Sequence, residues 1–292
     1  MRRQRSMQTI HSPALMQAAV MALRQSRATI GFVPTMGSLH LGHIKLIEEA
    51  RRRCDVLIVS IFVNPRQFDR QADLQAYPRQ LEADEMKCSA VGVDIIFAPS
   101  VEQMYPPGFD SSVEVDQLSR GQCGASRPGH FKGMLTVVTK LFNITRPHFA
   151  IFGEKDFQQL QLVRRMVLDL CTPIEILAMP VLREPDGLAM SSRNQRLNDD
   201  ERAQATGLFR AIEAAQKLVE RGEKKSSALL AAARAELQAR PLLREDYVQI
   251  VDPHSLKQVD MIEQQARIMI AANLGQVRLI DNGPLIVSPT PR

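Results

Sequence analysis

The chain has 292 residues, 45% of them hydrophobic and 24% charged, with four cysteines. These proportions exclude disorder, collagen-like repeats and disulfide-stapled miniproteins, and they fit one large or two modest globular domains. The net charge of +5 is concentrated early: residues 1–53 hold nine Lys/Arg against two Asp/Glu, so the remaining 239 carry a net charge of −2 and supply no basic stripe for a nucleic-acid groove. No apolar run approaches the ~18 residues of a membrane helix, and Met1–Arg5 leads into polar residues instead of a signal-peptide core. A cytoplasmic protein with neither membrane nor nucleic acid as partner is expected.

In chain order, Ser12-Pro13 reads as a helix cap with proline at the first helical position, continued by Leu15, Ala18, Ala19 and Ala22. Thr29–Val33 reads as a strand, and residues 34–42 as a loop with two glycines. Ile44–Arg53 has helical apolar spacing, its Arg51-Arg52-Arg53 end being a solvated terminus where cations suit the dipole. Residues 55–63 are apolar almost throughout, as in a strand buried on both faces. Helices near Arg79–Ala90, Lys132–Asn143 and Phe157–Leu170 then alternate with strands at Asp94–Ala98, Phe149–Phe152 and Ile174–Val181.

That rhythm of βαβ units predicts an α/β fold, a Rossmann-like doubly wound parallel sheet with ligands at the carboxyl ends of its strands. At Arg183–Gly187 a turn breaks the rhythm, and an Ala/Glu/Lys/Arg-rich stretch, Asp199–Arg240, predicts two amphipathic helices separated near Gly222. Short strands at Asp246–Val251, Ala266–Ala271 and Val277–Leu279 complete a smaller C-terminal α+β domain. The expected division is 1–182 and 183–292. Cys54, Cys88, Cys123 and Cys171 form no C-x-x-C pair, so buried free thiols are expected.

The segment Pro34–His43 (PTMGSLHLGH) lies between the first long strand and the next helix. Its glycines let backbone close on a ligand, the helix amino end offers N–H groups in a positive dipole, and His40 and His43 add imidazole donors, which together form an anion cradle. Gly153-Glu154-Lys155-Asp156, just past a strand end, reads equally as a phosphate-directed lysine or as a surface charge cluster. Ser191-Ser192-Arg193-Asn194 follows an Asp-Gly turn, with two hydroxyls and a guanidinium that suit a mobile loop over phosphates. An ordinary capped turn is the other reading of that segment.

The HxGH pattern resembles the nucleotidylyltransferase and class I aminoacyl-tRNA synthetase superfamily. Five segments, VPTMGSLHLGH (33–43), SIFVNPRQF (60–68), GASRPGHF (124–131), GEKDFQQ (153–159) and DGLAMSSRN (186–194), resemble the pantothenate synthetase (pantoate–β-alanine ligase) family along essentially the whole chain. Leu41 departs from the family, which often carries an acidic or other polar residue there.

The resemblance implies a two-step reaction: ATP and the carboxylate of (R)-pantoate give pantoyl-adenylate and pyrophosphate, then β-alanine displaces AMP to give pantothenate. It implies that Met36, Gly37, Ser38, Leu39, His40, Leu41, Gly42 and His43 wrap the nucleotide, with His43 the acid-type donor. Gly153, Glu154, Lys155, Asp156, Leu182, Met190, Ser191, Ser192 and Arg193 complete the ATP site. His40, His43, Lys155, Ser192 and Arg193 would aim donors and cations at charge developing on the transferring phosphoryl oxygens. Gln67 and Gln159, with Asn64 close by, match the pantoate-binding positions, and Gln67 also matches a β-alanine contact.

Arg127 and His130 lie in a Gly/Pro-rich loop that could contact the nucleotide or a neighbouring subunit. Mg2+ is expected with ATP, its protein ligands unassigned and Asp84 a weak candidate. The resemblance also implies a homodimer, and a C-terminal domain that closes over the active site. An adenylyltransferase of the same superfamily, and a basic nucleotide- or nucleic-acid-binding protein without ligase activity, are the alternative readings.

Overall fold

The computed structural model describes residues 6–287, so the basic tail at residues 1–5 lies outside the described residues. Six parallel strands, β1 (Gln8–Ile10), β2 (Ile30–Thr35), β3 (Val56–Ile61), β4 (Ile95–Phe97), β5 (Phe149–Gly153) and β6 (Glu175–Met179), form one sheet in the order β1-β4-β3-β2-β5-β6. Strand order reverses between β2 and β5, and the crevice at such a switch point is where open α/β sheets bind ligands. Three antiparallel strands, β7 (Leu243–Val251), β8 (Gln265–Leu274) and β9 (Val277–Ile286), form a second sheet in that order.

The chain divides into two compact units. One comprises residues 1–117, 127–154 and 159–179; the other comprises 118–126, 155–158 and 180–292. The last crossing is at Pro180. Two short segments from the middle of the chain belong to the second unit as well, and the division runs through the first turn of the Phe157–Asp169 helix.

In the first unit, Ile30, Phe32 and Val33 of β2 and Leu57, Ile58 and Val59 of β3 are completely buried, which is why both strands read as near-continuous apolar runs. The Leu41–Arg53 helix packs Ile47 and Ala50 into the cluster holding Val33, Val59, Ile96 and Ile151. A side chain of this size contributes about 1.5–3 kcal/mol when fully buried. The His130–Thr145 helix brings Phe142 edge-on to Phe32 and Phe152. In the second unit, the Gly207–Glu220 and Ser226–Gln238 helices share a core with Ile268 and Ile270 of β8 through Leu208, Ile212 and Leu229.

Three expectations change. The Asp199–Arg240 stretch holds three helices, because Asp199–Ala205, capped by Asn198 and Glu201, ends before Gly207. Arg51 is not a solvated helix end: it bonds Asp94 (2.5 Å) and the carbonyls of Cys54 and Asp55, tying the helix to the sheet, while Arg52 and Arg53 remain exposed beside Glu49. Cys54, Cys88 and Cys123 are buried, but Cys171, on the left-handed turn after the Phe157–Asp169 helix, is exposed. Burial pushes the Cys88 thiol up to about 12.

Gly133 is required by its close approach to backbone. A Cβ on Gly133, in the His130–Thr145 helix, would lie 2.0 Å from the backbone oxygen of Arg66, and the Gly133 carbonyl accepts the Asn64 side-chain N–H at 3.1 Å. Gly133→Ala is therefore expected to lower the urea-unfolding free energy by about 1–3 kcal/mol, the scale of core overpacking.

Candidate active site

The turn after β2 is held in an uncommon shape. Gly37 and Ser38 both have positive φ, +80° and +51°, and a Cβ on Gly37 would press on Asp84 and Ile61 at 3.0 Å. The Thr35 hydroxyl donates to the Ser60 carbonyl (2.7 Å) and accepts from Gly37 N–H (3.2 Å). Asp84, 0% exposed, accepts Ser38 N–H on Oδ2 (2.7 Å) and Leu39 N–H on Oδ1 (2.8 Å). One helical turn on, Lys87 donates to the Leu39 carbonyl (2.7 Å). A left-handed non-glycine residue is costly alone, and this set of bonds fixes it.

The turn delivers His40 as the N-cap of the Leu41–Arg53 helix. His40 Nδ1 accepts Gly42 N–H (3.1 Å), and His43 Nδ1 accepts the His40 N–H (3.4 Å), a reciprocal capping box built from imidazoles. Because each Nδ1 is an acceptor, the neutral rings carry their proton on Nε2. The ring centroids are 4.1 Å apart. Two Nε2–H donors thus stand side by side at a helix amino end, a geometry suited to an anion. Leu41, between them, is 53% exposed, so the departure from the family pattern points away from the turn's buried side.

Beside this turn, Asn64 (1% exposed) donates to Gln67 Oε1 (3.0 Å) and accepts from the Tyr105 hydroxyl (2.8 Å) and Arg66 N–H (3.3 Å). Its amide is occupied by the protein and fixes the Gln67 amide, whose Nε2 lies 3.0 Å from Met36 Sδ. Burial raises the Tyr105 phenol to about 12, which keeps it a donor. Arg127 and His130 both bond the Gln67 carbonyl, at 3.3 and 2.7 Å, and Arg127 pairs with Asp69 at 2.9 Å. The two residues of uncertain partner thus brace the Gln67 segment. Gln159 is half-buried in the first turn of the Phe157–Asp169 helix.

Gly153 ends β5, and Glu154–Asp156 form a single 3-10 turn. In the second unit, the Asn282 side chain donates to the Lys155 carbonyl (2.9 Å). The 182–190 segment is a small hairpin. Met190 N–H donates to the Leu182 carbonyl (2.9 Å), and the turn closes with Gly187 N–H on the Glu184 carbonyl (2.9 Å). Asn194 bonds Glu184 (2.7 Å) and the Ala189 carbonyl (3.1 Å), and the Ser191 hydroxyl accepts Arg193 N–H (3.3 Å). Ser192 and Arg193 are half-buried at the start of the short helix that Ser191 caps.

A family model for pantoate–β-alanine ligases matches residues 8–284. The chain belongs to the pantoate–β-alanine ligase family. It is similar to the pantothenate synthetase of Roseiflexus castenholzii, 50% identical over 269 residues that cover 91% of this chain and 97% of the relative. That of Myxococcus xanthus is 52% identical over 263 residues, 89% and 90% of the two chains. The pantothenate synthetase structure from Thermus thermophilus superposes with a TM-score of 0.91 at 45% identity, covering 97% of this chain and all of the other. The Francisella tularensis pantoate–β-alanine ligase, complexed with beta-gamma ATP and β-alanine, gives 0.78 at 36% identity, covering 95% and 97%.

Within this pantoate ligase family member, Asp84 does not fit a magnesium ligand. Both its oxygens hold backbone N–H groups, and it is sealed from solvent. Among the described residues no group of three or more His, Cys, Asp or Glu side chains could hold a metal ion. Sequence reading missed the clamps: Asp84 and Lys87 on the histidine turn, and Arg183, Arg267, Asp281 and Asn282 behind the segments of the second unit. No local spacing signals the links from Asp84 to Ser38, from Arg183 to Asp281 or from Asn282 to Lys155, whose partners lie 46, 98 and 127 residues apart.

Asp84→Asn, which turns one acceptor into a donor facing an N–H, is expected to cost about 1–3 kcal/mol of stability and to raise the KM for ATP. The Mg2+ concentration giving half-maximal rate stays at the wild-type value. A steady-state titration in ATP and Mg2+ separates this loop role from metal binding.

Proposed function

We propose that the chain condenses (R)-pantoate with β-alanine using MgATP, giving pantothenate, AMP and pyrophosphate through pantoyl-adenylate. The pair of imidazoles held by a reciprocal capping exchange at a helix amino end, on a clamped turn, carries this reading, because attack on an α-phosphate requires preorganised donors of that kind. Family membership supports it, as does the Francisella relative bound to beta-gamma ATP and β-alanine.

In the first step the pantoate carboxylate attacks the α-phosphorus and pyrophosphate leaves. Negative charge builds on the transferring phosphoryl oxygens, and donors fixed beforehand stabilise it without reorganising. His43 and His40 take that role through Nε2–H, with Lys155, Ser192 and Arg193 as the further donors and cations. Met36–His43, Gly153–Asp156, Leu182 and Met190–Arg193 bind the nucleotide. Gln67 and Gln159 orient pantoate, with Asn64 setting the direction of the Gln67 amide. Gln67 also contacts β-alanine.

In the second step the amine attacks the acyl carbon and AMP leaves. Holding amine and acyl-adenylate together contributes on the order of 7–11 kcal/mol, so proximity and a good leaving group carry the step. Mg2+ would arrive as part of the MgATP substrate and would supply charge neutralisation at its phosphates. A homodimer in the cytosol completes the proposal. Among the described residues no helix is long and apolar enough to cross a membrane.

AMP and pyrophosphate release from MgATP and (R)-pantoate, measured with and without β-alanine, tests the reaction. AMP in quantity only with both substrates is expected; pyrophosphate without amine-dependent AMP means an adenylyltransferase, and no turnover means a nucleotide-binding protein. His43→Ala is expected to slow pyrophosphate release about a hundredfold or more, the scale of one lost preorganised donor. A folded variant with the wild-type rate removes His43 from the mechanism.

A further inference from the structure

Strand β9 carries two adjacent buried polar residues, Asp281 and Asn282, both 2% exposed. Side chains alternate along a strand, so the two point to opposite faces of the sheet. On the helix-covered face, where Gly283 meets Ile212, the Asp281 carboxylate takes both ends of the Arg183 guanidinium at 2.6 and 3.0 Å. It also accepts the Asn282 N–H at 2.7 Å. Arg183 in turn donates to the Gly187 carbonyl at 2.9 Å and lies 4.5 Å over the Phe209 ring. A Cβ on Gly187 would fall 2.0 Å from that same ring, so the turn leading to Ser191–Arg193 is packed as well as bonded.

On the other face, Asn282 Oδ1 accepts Arg267 Nε (2.6 Å) and its Nδ2 donates to the Lys155 carbonyl (2.9 Å). The Arg267 guanidinium is itself seated 3.9 Å over the Phe157 ring, two residues beyond Lys155. The amide orientation of Asn282 is thereby fixed: its oxygen faces a cation, so its N–H must face the Lys155 backbone. Burial pushes the Asp281 carboxyl above its ordinary range, and the charges of Arg183 and Lys155 oppose that. A buried polar pair in a strand is costly unless satisfied, and here Asp281 leads through Arg183 to the turn before Ser191, and Asn282 leads to the Lys155 carbonyl.

We infer that Asp281 and Asn282 are positioning residues of the adenylation step, Asn282 by holding the backbone of Lys155 and Asp281 by holding, through Arg183, the turn that leads into Ser191–Arg193. The inference rests on the proposed phosphate roles of Lys155 and Arg193. One strand then sets two loops that are separated in sequence, and neither residue touches substrate.

The test uses Asn282→Asp, which keeps the acceptor for Arg267 and removes the donor to Lys155, alongside Asn282→Ser as the variant less disturbing to folding. Pre-steady-state pyrophosphate release from MgATP and (R)-pantoate is measured for each, for Lys155→Ala, and for the double variants. A displaced reacting group costs up to about a hundredfold, and neighbouring groups that act together are not additive. Loss of about tenfold or more in the maximal rate is expected for the Asn282 variants, with no further loss when Lys155 is already alanine.

Equal losses in both backgrounds, or no loss, overturn the positioning role. A wild-type rate for Lys155→Ala instead sinks the phosphate reading of Lys155, and the Asn282 inference with it. Asp281→Asn against Arg193→Ala is read in the same way, the expected loss being absent once Arg193 is removed, and an undiminished loss overturning the Asp281 arm.

Discussion

The carboxylate of Asp84 is the constraint on which the histidine site depends. Backbone at positive φ over two successive residues, Gly37 and Ser38, would not persist in water. The buried side chain of Asp84, accepting the Ser38 and Leu39 N–H groups, holds that shape. From it follow the start of the Leu41–Arg53 helix and the capping exchange between His40 and His43. A carboxylate that sequence alone suggests as a metal ligand is a fastener for backbone.

The same economy recurs elsewhere in the fold. Asn64 fixes Gln67, Gln158 holds Cys123 N–H and the carbonyls of Leu118 and Gly121, and Asn282 holds Lys155. Each is a buried amide whose two ends are both satisfied, so each transmits the rigidity of a strand or helix to an irregular segment. Groups proposed to meet substrates are therefore backed by groups that do not. Side-chain amides suit this work because they present a donor and an acceptor in one plane without a charge to desolvate.

Much of the architecture was legible in sequence where burial on both faces leaves an unbroken apolar run, as in β2 and β3, or where helical spacing is long, as in His130–Thr145. The failures share a cause. β1 has three residues and exists through its pairing with β4, more than eighty residues away. β9 was legible only over its first three residues, because Asp281 and Asn282 interrupt the apolar pattern for reasons set by Arg183 and Arg267. The Leu41–Arg53 helix begins three residues before its apolar spacing does, since imidazoles are uncommon caps. The motif residues themselves were legible from resemblance; the residues that hold them were not, because their partners are distant in sequence.

The assignment of residues 118–126 to the second unit also bears on the order in which the molecule can be completed. Gln122 bonds Gln249, Ser126 bonds Asp246, and Cys123 meets Tyr247 across a separation of 124 residues. At roughly 5–20 residues per second, the partners of that segment emerge about 6–25 s after it does. During that interval the chain on either side, residues 1–117 and 127–154, can already be assembling its sheet, while the segment that carries the Cys123 thiol waits for a strand not yet made. The second unit therefore closes only once its C-terminal strands have been made, after its middle segment has waited for them.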